Sequence, residues 1–340
     1  MTIRRVLTIA FVVIRLTDSY SQNVPTKQAV LNKFNFSEYS IIKDKDTIFF
    51  YVHKKENSKP TKLVLYLQGS SPDPLFTVEN NNGQYSIYRW FHGDYKFLDD
   101  NYYYAVIGKT GIPAISYGDL SDYSKYHQSN SLQNRVHQAD LVINYVVKNL
   151  IKGPNKIIVY GHSEGAPVAA KLGTINKKIT HLGFWAGNAL PDYFDFLLQN
   201  SKANWTKEQS DSDTYKNIKE ILLSFQNMTQ NKNDFSAKGK NDYSAKRWWS
   251  YAEPPINNLL KIDFPIFVQV AGKDESAPVE STFIIPLEFT RLGKTNLRYE
   301  ICMECDHGFE IERENGEQEG KWDSIFQEFI RWTISTENND

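Results

Sequence analysis

Cysteine is almost missing from this 340-residue chain, which holds only Cys302 and Cys305, in Cys302-Met303-Glu304-Cys305. Two thiolates cannot complete a tetrahedral zinc site without other ligands, and the one histidine nearby, His307, has a competing use, so no metal site is expected. Both a local disulfide, if the chain is exported, and a pair of free thiols in a buried strand fit this spacing. Excess charge is missing as well. With 39 Lys+Arg against 40 Asp+Glu, there is no electrostatic case for nucleic acid or an anionic membrane surface as partner. A neutral or mixed-charge small molecule or short peptide fits better. Arg4 and Arg5 precede an apolar run at residues 6–14, and Ser19-Tyr20-Ser21 follows it. That run is well short of the roughly 20 residues that span a bilayer and reads as a secretory signal peptide over residues 1–21. The mature chain, 22–340, is then expected in the periplasm or outside the cell, without an integral membrane segment. A short buried N-terminal strand or helix is the competing reading.

What is present is an alternation of strand and helix signals, in a chain long enough for one large α/β domain with insertions or for two small domains. Residues 39–42 and 47–53 read as strands around the turn signal Lys43-Asp44-Lys45-Asp46. The apolar run at 62–67 stops at Gln68-Gly69-Ser70-Ser71-Pro72, as a strand buried on both faces would. Runs at 102–107 and 156–160 end likewise in Gly108 and Gly161, and residues 131–150 between them carry one apolar helical face. Further strands are expected at 181–185, 265–271 and 297–302, with helices at 279–292 and 322–334. This order predicts a mostly parallel sheet covered on both faces. Residues 23–36 have no clear period. A polar stretch from about 190 to 261, helical at 213–225, is too long for a plain loop and is read as a cap over the site, against a disordered excursion.

The chemistry is carried by Gly161-His162-Ser163-Glu164-Gly165. By itself Gly-x-Ser-x-Gly is common. Here it follows an apolar strand and precedes a plausible helix, with Pro167 near the helix start, which is the setting of a nucleophile elbow. A serine hydroxyl needs a base and the base needs an orienting carboxylate. His181 sits at the start of a strand, the wrong end, which leaves His307 in Asp306-His307-Gly308-Phe309. The acid is expected between them, at Asp274 in Gly272-Lys273-Asp274-Glu275, with Glu275 the main competitor and Asp306 a weaker one. Two oxyanion donors are expected: the backbone N–H of Glu164, and one from the loop after 62–67, at Ser70, or else Gln68 or Ser71.

Leu67-Gln68-Gly69-Ser70-Ser71, the Ser163 elbow, Gly272-Lys273-Asp274 and Asp306-His307-Gly308 together resemble the α/β-hydrolase family, over about residues 39–334. The subgroup looks like exported hydrolases related to dienelactone hydrolases and to the catalytic domains of prolyl-oligopeptidase-type peptidases, though the chain lacks the length for a propeller domain. The resemblance implies an α/β-hydrolase fold with a mostly parallel eight-stranded sheet, helices on both faces, a helical cap insertion, and no metal or organic cofactor.

The leading functional expectation is a serine esterase working through an acyl-enzyme and a Ser163-Asp274-His307 triad. A small peptidase or amidase would share that machinery and would want a charged anchor for a terminus, which Glu164 or Glu253 could supply, although each reads first as a solvated surface charge. A non-catalytic binding protein on the same scaffold is the third reading. Trp248, Trp249 and Tyr251 are candidates for the substrate pocket or for the cap's own core, and Arg247 beside them reads as a solvated charge. Asn35, Asn204 and Asn227 each head a glycosylation sequon.

Overall fold

The computed structural model describes residues 23–43, 46–153, 156–237, 239–240 and 242–336. The signal-peptide reading of residues 1–21 and the centre of the Lys43–Asp46 turn lie outside them. Eight strands form the main sheet: β1 (Phe36–Lys43), β2 (Asp46–His53), β3 (Lys62–Leu67), β4 (Tyr102–Ile107), β5 (Lys156–His162), β6 (His181–Trp185), β7 (Ile266–Ala271) and β8 (Leu297–Cys302). Their spatial order is β1-β2-β4-β3-β5-β6-β7-β8. β2 runs antiparallel to both its neighbours, and every other pairing is parallel. All eight strands overlap the stretches where the sequence predicts them, with β1 starting three residues earlier, at Phe36, and β5 running on to His162.

The burial of each strand follows its place. Every residue of the central strands β5, β6 and β7 is buried, as continuous apolar runs require when helices cover both faces. The edge strands β1 and β8 are largely half-exposed. One face packs Val136, Val142 and Ile143 of the Leu132–Asn149 helix and Ala169 and Leu172 of the Gly165–Ile175 helix against Leu65, Val159 and Val268. The other packs Phe326 and Phe329 of the Trp322–Ser335 helix against Tyr160, Trp185 and Phe267. Each layer closes a separate apolar core, so the carboxyl ends of β3, β5, β7 and β8 are held rigidly relative to one another.

Four stretches of chain differ from the sequence expectation. Residues 27–33, within the stretch read as aperiodic, form a helix, Lys27–Lys33, whose first turn is capped by Thr26 Oγ1 accepting from Ala29 N at 3.2 Å. Seven residues are too few to show a period. Between β3 and β4 lies an unpredicted hairpin, Phe76–Asn81 with Gln84–Arg89, turning on Asn82 and Gly83 at φ 53° and 86°. Asn-Gly is the dipeptide that a two-residue hairpin turn with both φ positive demands. Helix 279–292 is divided at Phe283 into Val279–Thr282 and Ile284–Arg291. The stretch 190–261 is helical well beyond 213–225: Asp192–Trp205, Asp211–Met228, Ala245–Ser250 and Ile256–Leu259.

Candidate active site

The turn between β5 and the Gly165–Ile175 helix holds Ser163 at φ 56°, a left-handed conformation that costs a non-glycine residue roughly 1–3 kcal/mol. The helix begins two residues after Ser163 rather than at it. Close packing explains both flanking glycines. A Cβ on Gly161 would lie 2.0 Å from the Gly165 carbonyl oxygen, and one on Gly165 would lie 1.9 Å from that of Leu67. Ser163 N donates to Trp185 O at the end of β6 (3.0 Å), and Ser163 O accepts from Ala166 N (2.9 Å), so the strained turn is pinned from both sides.

Asp274 and His307 leave the carboxyl ends of β7 and β8. His307 Nδ1 meets Asp274 Oδ2 at 2.7 Å, and Asp274 Oδ1 accepts the backbone N–H groups of Ser276 (2.7 Å) and Ala277 (2.8 Å). The carboxylate is 4% exposed and cannot swing away from the imidazole. The two loops are laced together: Gly272 N donates to Cys302 O at 2.8 Å, Lys273 N to Cys305 O at 2.9 Å, and a Cys302–Cys305 disulfide closes the turn before the histidine. Of the competing acids, Glu275 is exposed, and Asp306 Oδ1 accepts from Gly308 N and Glu310 N, shaping the histidine loop. His162 ties this loop to the elbow, because its Nε2 donates to the His307 carbonyl at 2.8 Å. Burial, and then the nearby His307, depress the His162 pKa to about 3, which keeps that ring neutral.

The loop after β3 approaches the elbow from the other side. A Cβ on Gly69 would stand 3.2 Å from Ser163 Cβ and 3.6 Å from its Oγ. Ser70, the expected second oxyanion donor, has its Oγ 2.9 Å from the hydroxyl of Tyr243, which donates to it from the 190–261 insertion.

Two expectations about charge are overturned. Arg247 is not solvated: it is 5% exposed, with its guanidinium 4.4 to 4.8 Å from the ring centroids of Trp248, Tyr243 and Tyr251. It pairs with Glu164 Oε2 at 2.6 Å through Nη2 and with Asp192 at 2.9 Å through Nη1. Nor is Glu164 free to hold a substrate amine, because Arg135 Nη1 takes its other oxygen at 2.8 Å. Burial alone would raise the Glu164 pKa, but Arg247, Arg135 and Lys109 outweigh it and bring it to about 2. Glu253 is likewise paired, with Lys171 Nζ at 2.9 and 3.0 Å.

The three aromatic candidates separate. Tyr251 is buried; Trp248 packs edge-on against Tyr193, Phe196 and Tyr243; Trp249 is partly exposed beside Phe225. None of the three lines the apolar cavity of about 210 Å³ between the Asp192–Trp205 and Asp211–Met228 helices, though Trp248 and Trp249 pack on two of its wall residues, Tyr193 and Phe225. Among the described residues, no cluster of His, Cys, Asp and Glu suits a metal ion.

Lys109 and Arg135 escaped the sequence reading. Arg135 carried a faint signal: it lies in the second turn of a helix with no acidic residue in its first, where a cation opposes the helix dipole and calls for a partner elsewhere.

The strand order, the elbow and the placement of the Asp274 and His307 loops define the α/β-hydrolase fold. Solved structures agree. An esterase of Pyrococcus furiosus superposes with a TM-score of 0.52 at 15% identity, over 94% of this chain and 97% of that one. A puromycin-hydrolyzing peptidase of Mycobacterium tuberculosis has a TM-score of 0.50 at 11% identity, over 81% of this chain. An acylaminoacyl peptidase in complex with Z-Gly-Gly-Phe-chloromethyl ketone gives the same three figures. This chain spans only 37% and 38% of the length of those two peptidases. No protein-family model and no curated protein sequence matches the chain.

Proposed function

We propose that the protein is a serine hydrolase that cleaves carboxylic esters. The observation that carries this reading is the buried 2.7 Å Asp274–His307 pair, whose loop is hydrogen-bonded to the strained elbow of Ser163. Ser163 Oγ attacks the ester carbonyl while His307 Nε2 takes its proton. Asp274 holds the ring with Nδ1–H toward itself and stabilises the imidazolium. The negative oxygen of the tetrahedral intermediate is met by the N–H groups of Glu164 and Ser70, each worth about 3 kcal/mol by analogy with side-chain donors. His307 then passes its proton to the departing alkoxide. Water, deprotonated by the same imidazole, releases the acid and restores Ser163.

In this reading residues 190–261 are a cap, supported by the contacts of Tyr243 with Ser70 and of Arg247 with Glu164. The apolar cavity between its first two helices receives a hydrophobic part of the ester, with Trp248 and Trp249 packed behind its wall residues Tyr193 and Phe225. Ester is preferred over peptide because both carboxylates suited to anchoring a free amino terminus, Glu164 and Glu253, are already ion-paired. Export remains part of the proposal, on the pattern of residues 1–21, and N-terminal sequencing of the secreted chain tests it. The function is tested by burst kinetics with short and medium p-nitrophenyl esters and an aminoacyl p-nitroanilide, on the mature protein and on Ser163→Ala. Ester turnover lost in the variant is expected. Preferential anilide cleavage would mean a peptidase, and inertness together with failure of a fluorophosphonate to label Ser163 would mean no such catalyst at all.

A further inference from the structure

Four successive carbonyls of the loop after β3 are each held by a side-chain donor. Gln68 O accepts from Arg135 Nη2, Gly69 O from Lys109 Nζ at 2.7 Å, Ser70 O from the Tyr126 hydroxyl at 2.8 Å, and Ser71 O from Lys109 Nζ again. Lys109, Tyr126 and Arg135 line a cavity of about 30 Å³ there, room for little more than a water or two and too small for a substrate. These cations therefore serve the main chain.

The geometry of the peptide unit makes this consequential. In a trans peptide the C=O of one residue and the N–H of the next point in opposite directions, and no cis bond occurs among the described residues. The Gly69 carbonyl and the Ser70 N–H belong to one such unit. Holding the Gly69 carbonyl on Lys109 fixes the Ser70 N–H in the opposite direction, and Gly69 itself lies against Ser163. Without a partner on its oxygen the Gly69–Ser70 peptide could turn about ψ of Gly69 and φ of Ser70, and at Gly69 no Cβ opposes that rotation. Burial, and then the nearby Arg135, lower the Lys109 pKa to about 7; below that pH its ammonium on the carbonyl oxygen also polarises the peptide and strengthens the N–H as a donor.

We propose that Lys109 is a positioning residue for catalysis: by holding the Gly69 and Ser71 carbonyls it fixes the Ser70 N–H toward the oxyanion. The proposal rests on the serine-hydrolase reading above, and its test separates the two.

The test compares the full mature chain with Lys109→Met, which keeps the stem and loses the donor, Lys109→Gln, which keeps a neutral donor, and Lys109→Arg, which keeps the charge. Three quantities are read for each folded variant: kcat and KM on a p-nitrophenyl ester, and Ki for a trifluoromethyl ketone, whose hemiketal oxyanion occupies the same position. Loss of one oxyanion donor costs about 10²–10³ in kcat, and a donor that is merely loosened should lose about 10–100-fold. The expected result for Lys109→Met is a kcat lower by that factor with KM within about twofold, a Ki weakened in parallel with kcat/KM, and partial recovery in Lys109→Arg. Should Lys109→Met not fold, Lys109→Gln takes its place in the same comparison. A folded variant that keeps kcat and Ki within about twofold of wild type overturns the proposal, as does one in which KM rises as much as Ki. If the wild type itself neither turns over ester nor is labelled at Ser163, the serine-hydrolase reading fails and this inference falls with it.

Discussion

Arg247, in a short helix of the insertion, donates through Nε to Glu164 Oε2 at 2.7 Å, one residue beyond Ser163. Glu164, the neighbour of Ser163 proposed as a backbone oxyanion donor, is therefore held, through its side chain, by a segment that the chain reaches more than eighty residues later. Removing one partner of a buried ion pair costs about 3–5 kcal/mol, and because Arg135 stays on Glu164 the loss for Arg247→Met should sit at the low end. A lower Tm together with reduced ester kcat is expected. A double-mutant cycle with Glu164→Gln checks the link, and strict additivity would show that the two residues are not coupled.

Ser163 pays for its place in conformational energy, and glycine adopts φ 56° without that cost. Ser163→Gly should therefore abolish turnover while raising stability by about 1 kcal/mol, since it removes part of the strain at the turn. Thermal unfolding of wild type, Ser163→Gly and Ser163→Ala side by side gives the answer: the glycine variant should melt highest.

Asp274→Asn keeps its one oxygen for Ser276 N and Ala277 N and presents an NH2 donor to His307 Nδ1. The imidazole is then free to take the wrong tautomer, and by analogy with other triads kcat should fall about 10⁴-fold. Circular dichroism should show an unchanged fold. A loss below about tenfold would remove Asp274 from the mechanism and turn attention to Glu275.

Away from the site, Asp94 is fully buried and accepts from Trp322 Nε1 at 2.8 Å and from the Tyr160 hydroxyl. Burial raises its pKa from 3.8 to about 7 despite those two donors. Between about pH 4 and 7 the native state thus keeps a proton that the unfolded chain has released, so this residue's contribution is full below pH 4 and declines as pH rises toward 7. Asp94→Asn should flatten that part of the Tm-versus-pH curve. An identical slope in wild type and variant would contradict the assignment.

The sheet and the Ser163, Asp274 and His307 positions were legible because each signal is local: an apolar run of strand length, then glycine, then a chemically distinctive residue. The cationic framework was not. Arg135 and Gln68 are 67 residues apart, and Arg247 and Glu164 are 83 apart, so no window of sequence contains both ends of either contact. Arg247 beside two tryptophans reads as a surface charge until the fold folds aromatic rings around its guanidinium. The 76–89 hairpin is a different matter, since Asn82-Gly83 announces it. The helix at 192–205 lies in a stretch whose polar composition masked its apolar face.

Glu164, itself buried, shares its carboxylate between Arg135 of the core and Arg247 of the 190–261 stretch. Three separately encoded pieces of chain are thereby bound into one unit of inheritance. A lineage that loses any one of these charges must neutralise or replace the others, so among divergent descendants positions 135, 164 and 247 should change as a set. An insertion transplanted from a distant cousin should function only when its matching elbow and core arginine travel with it.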